Sequence, residues 1–236
     1  MARTDAALGE GSTRALARRR AQLGLELALP VALLGAVVAS RGTGHFRLLV
    51  GEDGILEWAQ VGALTVAAGA LLAGALGTNG RTRLAFFGCC AAVLVIIGEE
   101  IAWGTRLLGT GVGFVEANNE QGDTTLHNLT GALDMSFLGL AATALALGVL
   151  VAARWAPFRD VSLGVVWWLA IPAMYALFRF VAGDVPYHVA KVSEAAELAF
   201  ALALARLALA ARRQIVQPAD PGRGVGRPHD RTATTG

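Results

Sequence analysis

Six long apolar blocks constrain the fold of this chain more than any other feature of its sequence. Hydrophobic residues make up 55% of the chain and charged residues only 16%, and the apolar residues are grouped into runs. A helix rises about 1.5 Å per residue, so roughly 20 apolar residues cross a hydrocarbon core about 30 Å thick. The runs lie near 23–40, 56–77, 84–103, 126–153, 161–181 and 187–211. We therefore predict an all-α integral membrane protein, a bundle of about six transmembrane helices.

The distribution of arginine predicts how this bundle is oriented. Five arginines precede the first block and five follow the last, and the short connections 78–83 and 154–160 carry two each. The longer connection between the third and fourth blocks holds one arginine and three acids. Cytoplasmic loops of membrane proteins carry an excess of Lys and Arg, so both termini are expected in the cytoplasm. Arg41 and Arg47, in the first external connection, run against this pattern.

The regions outside the apolar blocks complete the predicted domain organisation. Residues 1–22 are basic and are expected to form a loosely ordered cytoplasmic segment, with residues 23–213 forming the transmembrane domain. Residues 214–236 are rich in Pro, Gly, Arg and Thr, which indicates a disordered basic tail near anionic headgroups. The first block is interpreted as an uncleaved anchor, with Glu26 reaching the cytoplasmic headgroups. Residues 41–55 are expected to be an external loop.

The most polar internal stretch runs from residue 99 to 134. Glu99 and Glu100 end the third apolar block, and His127 opens the fourth, with Asp134 seven residues later. In a continuous helix, residues seven apart share one stripe, and residues three apart, such as Glu100 and Trp103, share one side. Ionisable groups within apolar helices are costly and more often mark function than not. This stretch is therefore predicted to form part of a site.

A second group of charges belongs to the fifth and sixth blocks. Arg179 lies near the outer end of the fifth block, and Lys191, Glu194 and Glu197 follow at spacings of three in the sixth. If that helix begins at 187, Glu197 lies roughly 15 Å below its start, near the middle of the bilayer. In the predicted topology these groups all map to the outer half, whereas the inner half has almost none. We expect a polar cavity that opens to the outside, lined by blocks two to six.

Three short segments carry a resemblance to a known group of proteins. They read EEIAWGTR at 99–106, NEQGD at 119–123 and LHN at 126–128. They resemble a signature of uncharacterised bacterial multi-span membrane proteins, which read E-E-I-S-W-G-Q-R, then N-x-Q-G-E, then N-L-H-N. Ala102, Thr105 and Asp123 stand where those proteins have Ser, Gln and Glu. The resemblance implies a multi-pass protein of a bacterial plasma membrane with a site in this stretch, and it brings no established activity.

The leading functional hypothesis is a membrane-embedded, hydrolase-like enzyme acting on a lipid or lipid-linked substrate at the outer leaflet. A carboxylate or imidazole would act as general base while a cation holds an anionic head group. The candidate catalytic residues are Glu99, Glu100, His127, Asp134, Glu194 and Glu197. The candidate substrate-binding residues are Trp103, Arg106, Asn119, Gln121, Asn128, Arg179 and Lys191. A divalent metal is a candidate cofactor, because histidine with carboxylates suits such ions. Its candidate ligands are His127, His188, Glu100, Asp134 and Glu194.

Two alternatives stay open at this point. A proton- or cation-coupled transporter would use Asp134, Glu194 and Glu197 as a relay, but the sequence shows no internal repeat and few polar residues in the inner half. A structural or accessory subunit would use the charges only as ion pairs, such as Arg179 with Glu100 and Lys191 with Glu194. The expected partners are the lipid bilayer and a lipid or small-molecule substrate, without nucleic acid, and a homo-oligomer stays open.

Overall fold

The computed structural model describes residues 2–51, 53–104 and 133–216, and all regular structure in these residues is helical. Six helices of 19 residues or more occur in this part of the chain, together with two short ones. Over the described residues they are α1 (Ala2–Ala39), α2 (Gly44–Val50), α3 (Ile55–Leu76), α4 (Gly80–Glu100), α5 (Leu133–Ala152), α6 (Gly164–Ala182), α7 (Tyr187–Ala190) and α8 (Ser193–Val216). Single 3₁₀ turns lie at Ala102–Gly104 and Ala156–Phe158. The all-helical fold class is therefore confirmed.

Four of these segments are long and apolar enough to cross a membrane. They are Arg20–Ala39 of α1, Gly44–Leu76 with α2 and α3, Gly80–Glu100 and Gly164–Ala182. In α5, the apolar stretch within the described side chains, Leu138–Ala152, is shorter. The helix α8 is long enough but carries two glutamates and three arginines. Four apolar spans are thus found among the described residues, and the count of about six stays a prediction.

The helix α8 lies at the centre of the bundle, in contact with α1, α3 and α6. Its interface with α3 is built mainly from alanine, with Ala67 and Ala75 of α3 buried in one cluster with Ala201 and Ala208 of α8. Small residues let helix backbones approach closely, which is how helices gain packing energy when lipid offers no hydrophobic drive. On the other side of α3, the buried Phe86 ring of α4 packs directly over the backbone of Gly74.

The contacts define the relative directions of α3 and α8. Leu56, near the start of α3, packs in one cluster with Ala195, near the start of α8. Towards their other ends, Ala75 and Ala211 belong to a second cluster. The two helices therefore run in the same direction. The helix α4 runs back along α3, since the connection 77–79 between them is short and the Cys90 thiol lies 3.5 Å from the Ala68 carbonyl.

The contacts of the remaining helices define their directions in the same way. In α1, Glu26 contacts Arg206 and Val37 packs with Ala195, so α1 runs opposite to α8. The first residue of α6, Gly164, lies against Glu26, while Tyr175 bonds the chain just before α8. The helix α6 thus runs parallel to α1, and α5 packs against it after a short connection. Successive long helices therefore alternate in direction, and their ends gather at two opposite ends of the bundle.

Charged side chains are divided unequally between these two ends. The end at which α8 terminates, here called the basic end, has eight described arginine side chains and two acids. They are Arg20, Arg81, Arg83, Arg154, Arg159, Arg206, Arg212 and Arg213, with Glu26 and Asp160. The opposite, acidic end has seven described acids and four basic groups. They are Asp53, Glu57, Glu99, Glu100, Asp184, Glu194 and Glu197, with Arg41, Arg47, Arg179 and Lys191.

Helices extend into two regions outside the apolar blocks. The helix α1 begins at Ala2, within the segment 1–22, whose loose order and cytoplasmic position stay predictions. Alanine, leucine and arginine are strong helix formers, and no proline precedes Pro30. The expected external loop 41–55 contains the helix α2, in which Phe46 and Val50 are buried. Both pack in a cluster with Val37 of α1, which gives this short helix its own share of the core.

The sixth apolar block is not one helix. The short helix α7 ends at Ala190, and the long helix α8 begins at Ser193. Glu197 is therefore four residues into α8, about 6 Å along it at 1.5 Å per residue. It lies level with Gln60, which is five residues into α3. The predicted distance of about 15 Å from the start of this helix is wrong, because it counted α7 as part of the same helix.

Candidate functional site

The paired glutamates at 99 and 100 end α4, and the chain then turns sharply. Ala102 and Trp103 have φ of +47° and +49°, in the left-handed region that residues other than glycine rarely adopt. The turn folds Trp103 back, so that its Nε1 donates a hydrogen bond to Glu99 Oε1. The expected pairing of Glu100 and Trp103 on one helix side is therefore wrong, because the helix does not continue to 103.

The indole ring of Trp103 packs over Gly98. A Cβ at Gly98 would lie 3.0 Å from two ring carbons, so the glycine leaves the space that the ring occupies. Two consecutive residues in a strained backbone conformation persist only where surrounding contacts hold them. Here the ring contact and the hydrogen bond to Glu99 do so. Residues 98–103 thus form a compact cap on α4, in which Glu99 is hydrogen-bonded to Trp103. Both glutamates of this cap are half-buried.

The second part of the site forms where α3 meets the start of α8. Lys191 Nζ lies 2.9 Å from Glu194 Oε1, which confirms the ion pair expected between them. Glu194 is buried, and Glu197, one turn further along α8, is half-buried. The Gln60 side chain of α3, only 3% exposed, lies within hydrogen-bonding reach of the Glu197 carboxylate. Gln60 is a residue that the sequence reading missed.

Glu57 completes this group. Its carboxylate accepts a hydrogen bond of 2.8 Å from the backbone N–H of Asp53, and it is close enough to influence both Lys191 and Glu197 electrostatically. We call Glu57, Gln60, Lys191, Glu194 and Glu197 the acidic cluster. Three carboxylates, one ammonium and one amide, from α3, α8 and the link between α7 and α8, thus meet at one end of the bundle.

A hydrogen-bonded tyrosine links α6 to this cluster. Tyr175 Oη donates towards the carbonyls of Ala190 at 2.7 Å and Val189 at 3.2 Å. Arg179, one turn along α6, donates to the same hydroxyl at 3.4 Å. Tyr175 therefore holds the end of α7, and with it Lys191, against α6. Sequence reasoning gave Tyr175 no role, although a tyrosine one turn before an arginine in an apolar helix is a usable signal.

Several residues named from the sequence cannot be placed in this geometry. Arg106, Asn119, Gln121, His127 and Asn128 lie outside the described residues. For Asp134 the backbone is described, as the second residue of α5 at the acidic end.

The proposed metal ligands are only partly described. His188 is exposed on α7. Within the described part, no three His, Cys, Asp or Glu side chains approach closely enough to hold a metal ion. Binding through His127 and Asp134 stays a prediction.

The basic end contains a buried ion pair that the sequence reading missed. Glu26, 4% exposed, accepts hydrogen bonds from Arg206 Nη2 at 2.6 Å and from Gln22 Nε2 at 2.9 Å. The Trp168 indole donates to the Glu26 carbonyl at 2.6 Å, and Gly164 leaves room for the carboxylate. Glu26 therefore does not reach the headgroups as expected. The sequence feature that indicates this ion pair is Arg206, a lone charge within an apolar stretch, because such a charge requires a partner.

Charged sites thus lie at both ends of α8. Glu197 and Arg206 are nine residues apart, or about 13 Å along the helix, and the eight residues between them are apolar. The prediction that the charged groups gather at one end of the bundle therefore misses the Glu26–Arg206 pair at the basic end. No protein-family model, no curated protein and no solved structure matches this chain. The roles of these residues therefore follow from their own chemistry.

Proposed function

We propose that the protein is a six-pass integral membrane protein that acts, from the acidic end, as an enzyme on a lipid or lipid-linked substrate. The six long helices of residues 2–104 and 133–216, which alternate in direction, support six crossings, and four of them have the apolar character of spans. The arginine-rich end matches the cytoplasmic side of a membrane protein. The acidic end would then face the outside of a bacterial plasma membrane, with both termini in the cytoplasm.

The acidic cluster is the observation that carries this proposal. Glu197 lies in the second turn of α8, half-buried, with Gln60 within hydrogen-bonding reach and the Lys191–Glu194 pair close enough to influence it electrostatically. A carboxylate held in this way can take a proton from an attacking water while a nearby cation holds the anionic head group of the substrate. Lys191 and Arg179 are the cations placed for that second role. Acyl or phosphoryl ester hydrolysis is the class of reaction that these groups serve.

A lipid-turnover experiment tests the proposal. The purified protein is reconstituted in vesicles of bacterial polar lipid extract, and the lipids are followed by mass spectrometry over time. The wild type is expected to convert one lipid class. Glu197→Gln keeps the shape of the side chain but removes the base, and should slow conversion by about 10²-fold or more. Asp184→Asn, an exposed acid at the same end, is the matched control and should stay within about twofold. An unchanged lipid profile with wild type would refute the enzyme proposal.

Transport is a second candidate, because the Glu26–Arg206 pair supplies polar groups at the basic end of the same helix that carries Glu197. A relay needs groups on both sides of its apolar barrier, which is here about 13 Å long at nine residues of helix rise. Proton uptake by vesicles with an internal pH dye would show it. Flux that is lost in Glu197→Gln, without any lipid turnover, favours transport over the enzyme.

The proposed orientation has its own test. In a variant lacking Cys89 and Cys90, single cysteines are introduced at Asp184, at the acidic end, and at Arg83, at the basic end. An impermeant maleimide added to intact cells should label only the first, and label the second only after the membrane is opened. Labelling of both positions from outside, or of Arg83→Cys alone, would contradict the orientation.

A further inference from the structure

A polar cleft of about 190 Å³ opens at the basic end, on the side of the bundle where α1 and α8 meet the connection between α5 and α6. It is separate from the acidic cluster, which lies at the opposite end of α8. Its lining consists of Gln22, Asp160, Val161, Arg206, Leu209, Ala210 and Arg213. Two guanidinium groups, an amide and one carboxylate thus share the cleft with a short apolar wall.

Both arginines belong to one face of α8. Arg206 and Arg213 are seven residues apart, which places them two turns apart on the same side of the helix, about 10 Å along its axis. Arg206 is oriented by Glu26, yet this contact uses one of its five N–H donors, and its side chain is 46% exposed. Arg213 is exposed and forms no ion pair within the described residues. Donors therefore remain available to a ligand.

Asp160, the one acid of the lining, is hydrogen-bonded to a neighbouring side chain. Asp160 Oδ2 accepts a hydrogen bond of 2.9 Å from Gln214 Nε2. Arg154 adds positive charge at the edge of the cleft, where its Nη1 donates to the carbonyl of Val161 at 2.8 Å. The cleft and its edge therefore carry one net positive charge, from Arg154, Arg206 and Arg213 together with the acids Asp160 and Glu26. The basic end as a whole is also rich in arginine.

We propose that this cleft binds a phosphate group, held between Arg206 and Arg213. Guanidinium groups bind phosphate through paired N–H donors, and basic pockets between helices on the cytoplasmic side suit the head groups of anionic lipids. Val161, Leu209 and Ala210 would contact the glycerol carbons that follow the phosphate of a phospholipid. A free phosphate would use the two guanidinium groups alone. This inference is independent of the function proposed for the acidic cluster.

Native mass spectrometry of the full chain in detergent tests the site, with phosphatidylglycerol and phosphatidylcholine of the same acyl chains as probes. Wild type should retain phosphatidylglycerol in preference to phosphatidylcholine. Arg213→Gln should weaken that retention about tenfold, the value of one charge-assisted hydrogen bond. Arg212→Gln makes the same charge change on an exposed neighbour that does not line the cleft, and should change retention less than twofold. Asp160→Asn, which removes the carboxylate from the lining, should tighten retention.

A second arm identifies the source of the phosphate. Inorganic phosphate is titrated against lipid-stripped protein while thermal unfolding is followed. A saturable rise in Tm that Arg213→Gln abolishes would support a phosphate site filled from solution, and lipid retention without such a rise would support a phospholipid head group. Equal losses in Arg212→Gln and Arg213→Gln would overturn the proposal, since they indicate a general charge effect. So would equal retention of both lipids together with no response to phosphate.

Discussion

The buried pair between Glu26 and Arg206 leads to an asymmetric prediction for stability. Arg206→Leu removes the cation and leaves the Glu26 side chain, 5% exposed, as a buried carboxylate whose remaining hydrogen-bond partners, Gln22 and Ser162, are neutral. Breaking a buried pair by removing one partner costs about 3–5 kcal/mol. Because the Arg206 side chain is 46% exposed, the pair is partly screened, and we expect about 3 kcal/mol.

The reverse substitution should cost much less. Glu26→Gln leaves Arg206 with access to water, so no charge is stranded in the protein interior. The amide oxygen of the glutamine can still accept from Gln22 and from the guanidinium. What is lost is the charge assistance of one hydrogen bond, worth about 1 kcal/mol. The cost of breaking this ion pair therefore depends on which partner is removed. It is larger when the buried carboxylate is left without its cation.

Equilibrium unfolding in mixed detergent micelles, titrated with a denaturing detergent, measures these free energies. Wild type, both single variants and the double variant form a cycle, with Arg212→Leu as the exposed control, expected within about 0.5 kcal/mol of wild type. The double variant should recover about 1–2 kcal/mol relative to the sum of the single changes, because neither charge is then left alone. The reasoning is refuted if Glu26→Gln costs as much as Arg206→Leu, or if the two changes are additive.

Three further outcomes follow from the packing. Gly74→Ala should lower stability by about 1–3 kcal/mol, since its Cβ would lie 2.6 Å from a buried phenyl ring. A Cβ at Gly69 would meet nothing within 4 Å, so Gly69→Ala should be neutral or stabilising. Thermal unfolding of the pair in one detergent checks this, and equal Tm values would contradict it. Tyr175→Phe should cost about 1 kcal/mol through the lost bonds to the chain before α8, and an unchanged Tm would show that these bonds contribute nothing. Gly164→Ala places a Cβ 2.5 Å from Glu26 Oε2, so it should destabilise the wild-type protein more than a Glu26→Ala variant. Equal effects in both proteins would exclude this contact as the cause.

Hydropathy located the helices well and their ends poorly. The blocks at 56–77 and 161–181 correspond to Ile55–Leu76 and Gly164–Ala182. The block at 84–103, in contrast, loses its last three residues to the turn after Glu100, where two residues adopt positive φ. Apolar character continues through that turn, so composition cannot detect it. The error at 187–211 has another cause, since the break between Ala190 and Ser193 lies at Lys191, beside Glu194, and the prediction counted one helix across these charges.

The composition of the candidate site was only partly predictable. Lys191 and Glu194 are three residues apart, and a local ion pair of this kind follows from spacing alone. Gln60 meets Glu197 across more than a hundred residues of sequence, through the contact of two helices. No local pattern encodes that meeting. The residues that sequence reasoning missed are those whose role depends on a partner elsewhere in the chain.

By itself, the sequence determined that this chain is helical, where its apolar helices lie, and that arginine gathers at one end of them. These properties depend on the composition of each segment, because a helix satisfies its own backbone hydrogen bonds without help from other segments. Only the tertiary structure decided which charges meet. Glu26 pairs with Arg206, 180 residues away, because the packing of α1 against α6 and α8 sets how close these helices come and how each is rotated about its axis. Hydropathy does not record that rotation, and the rotation decides which side chains become partners.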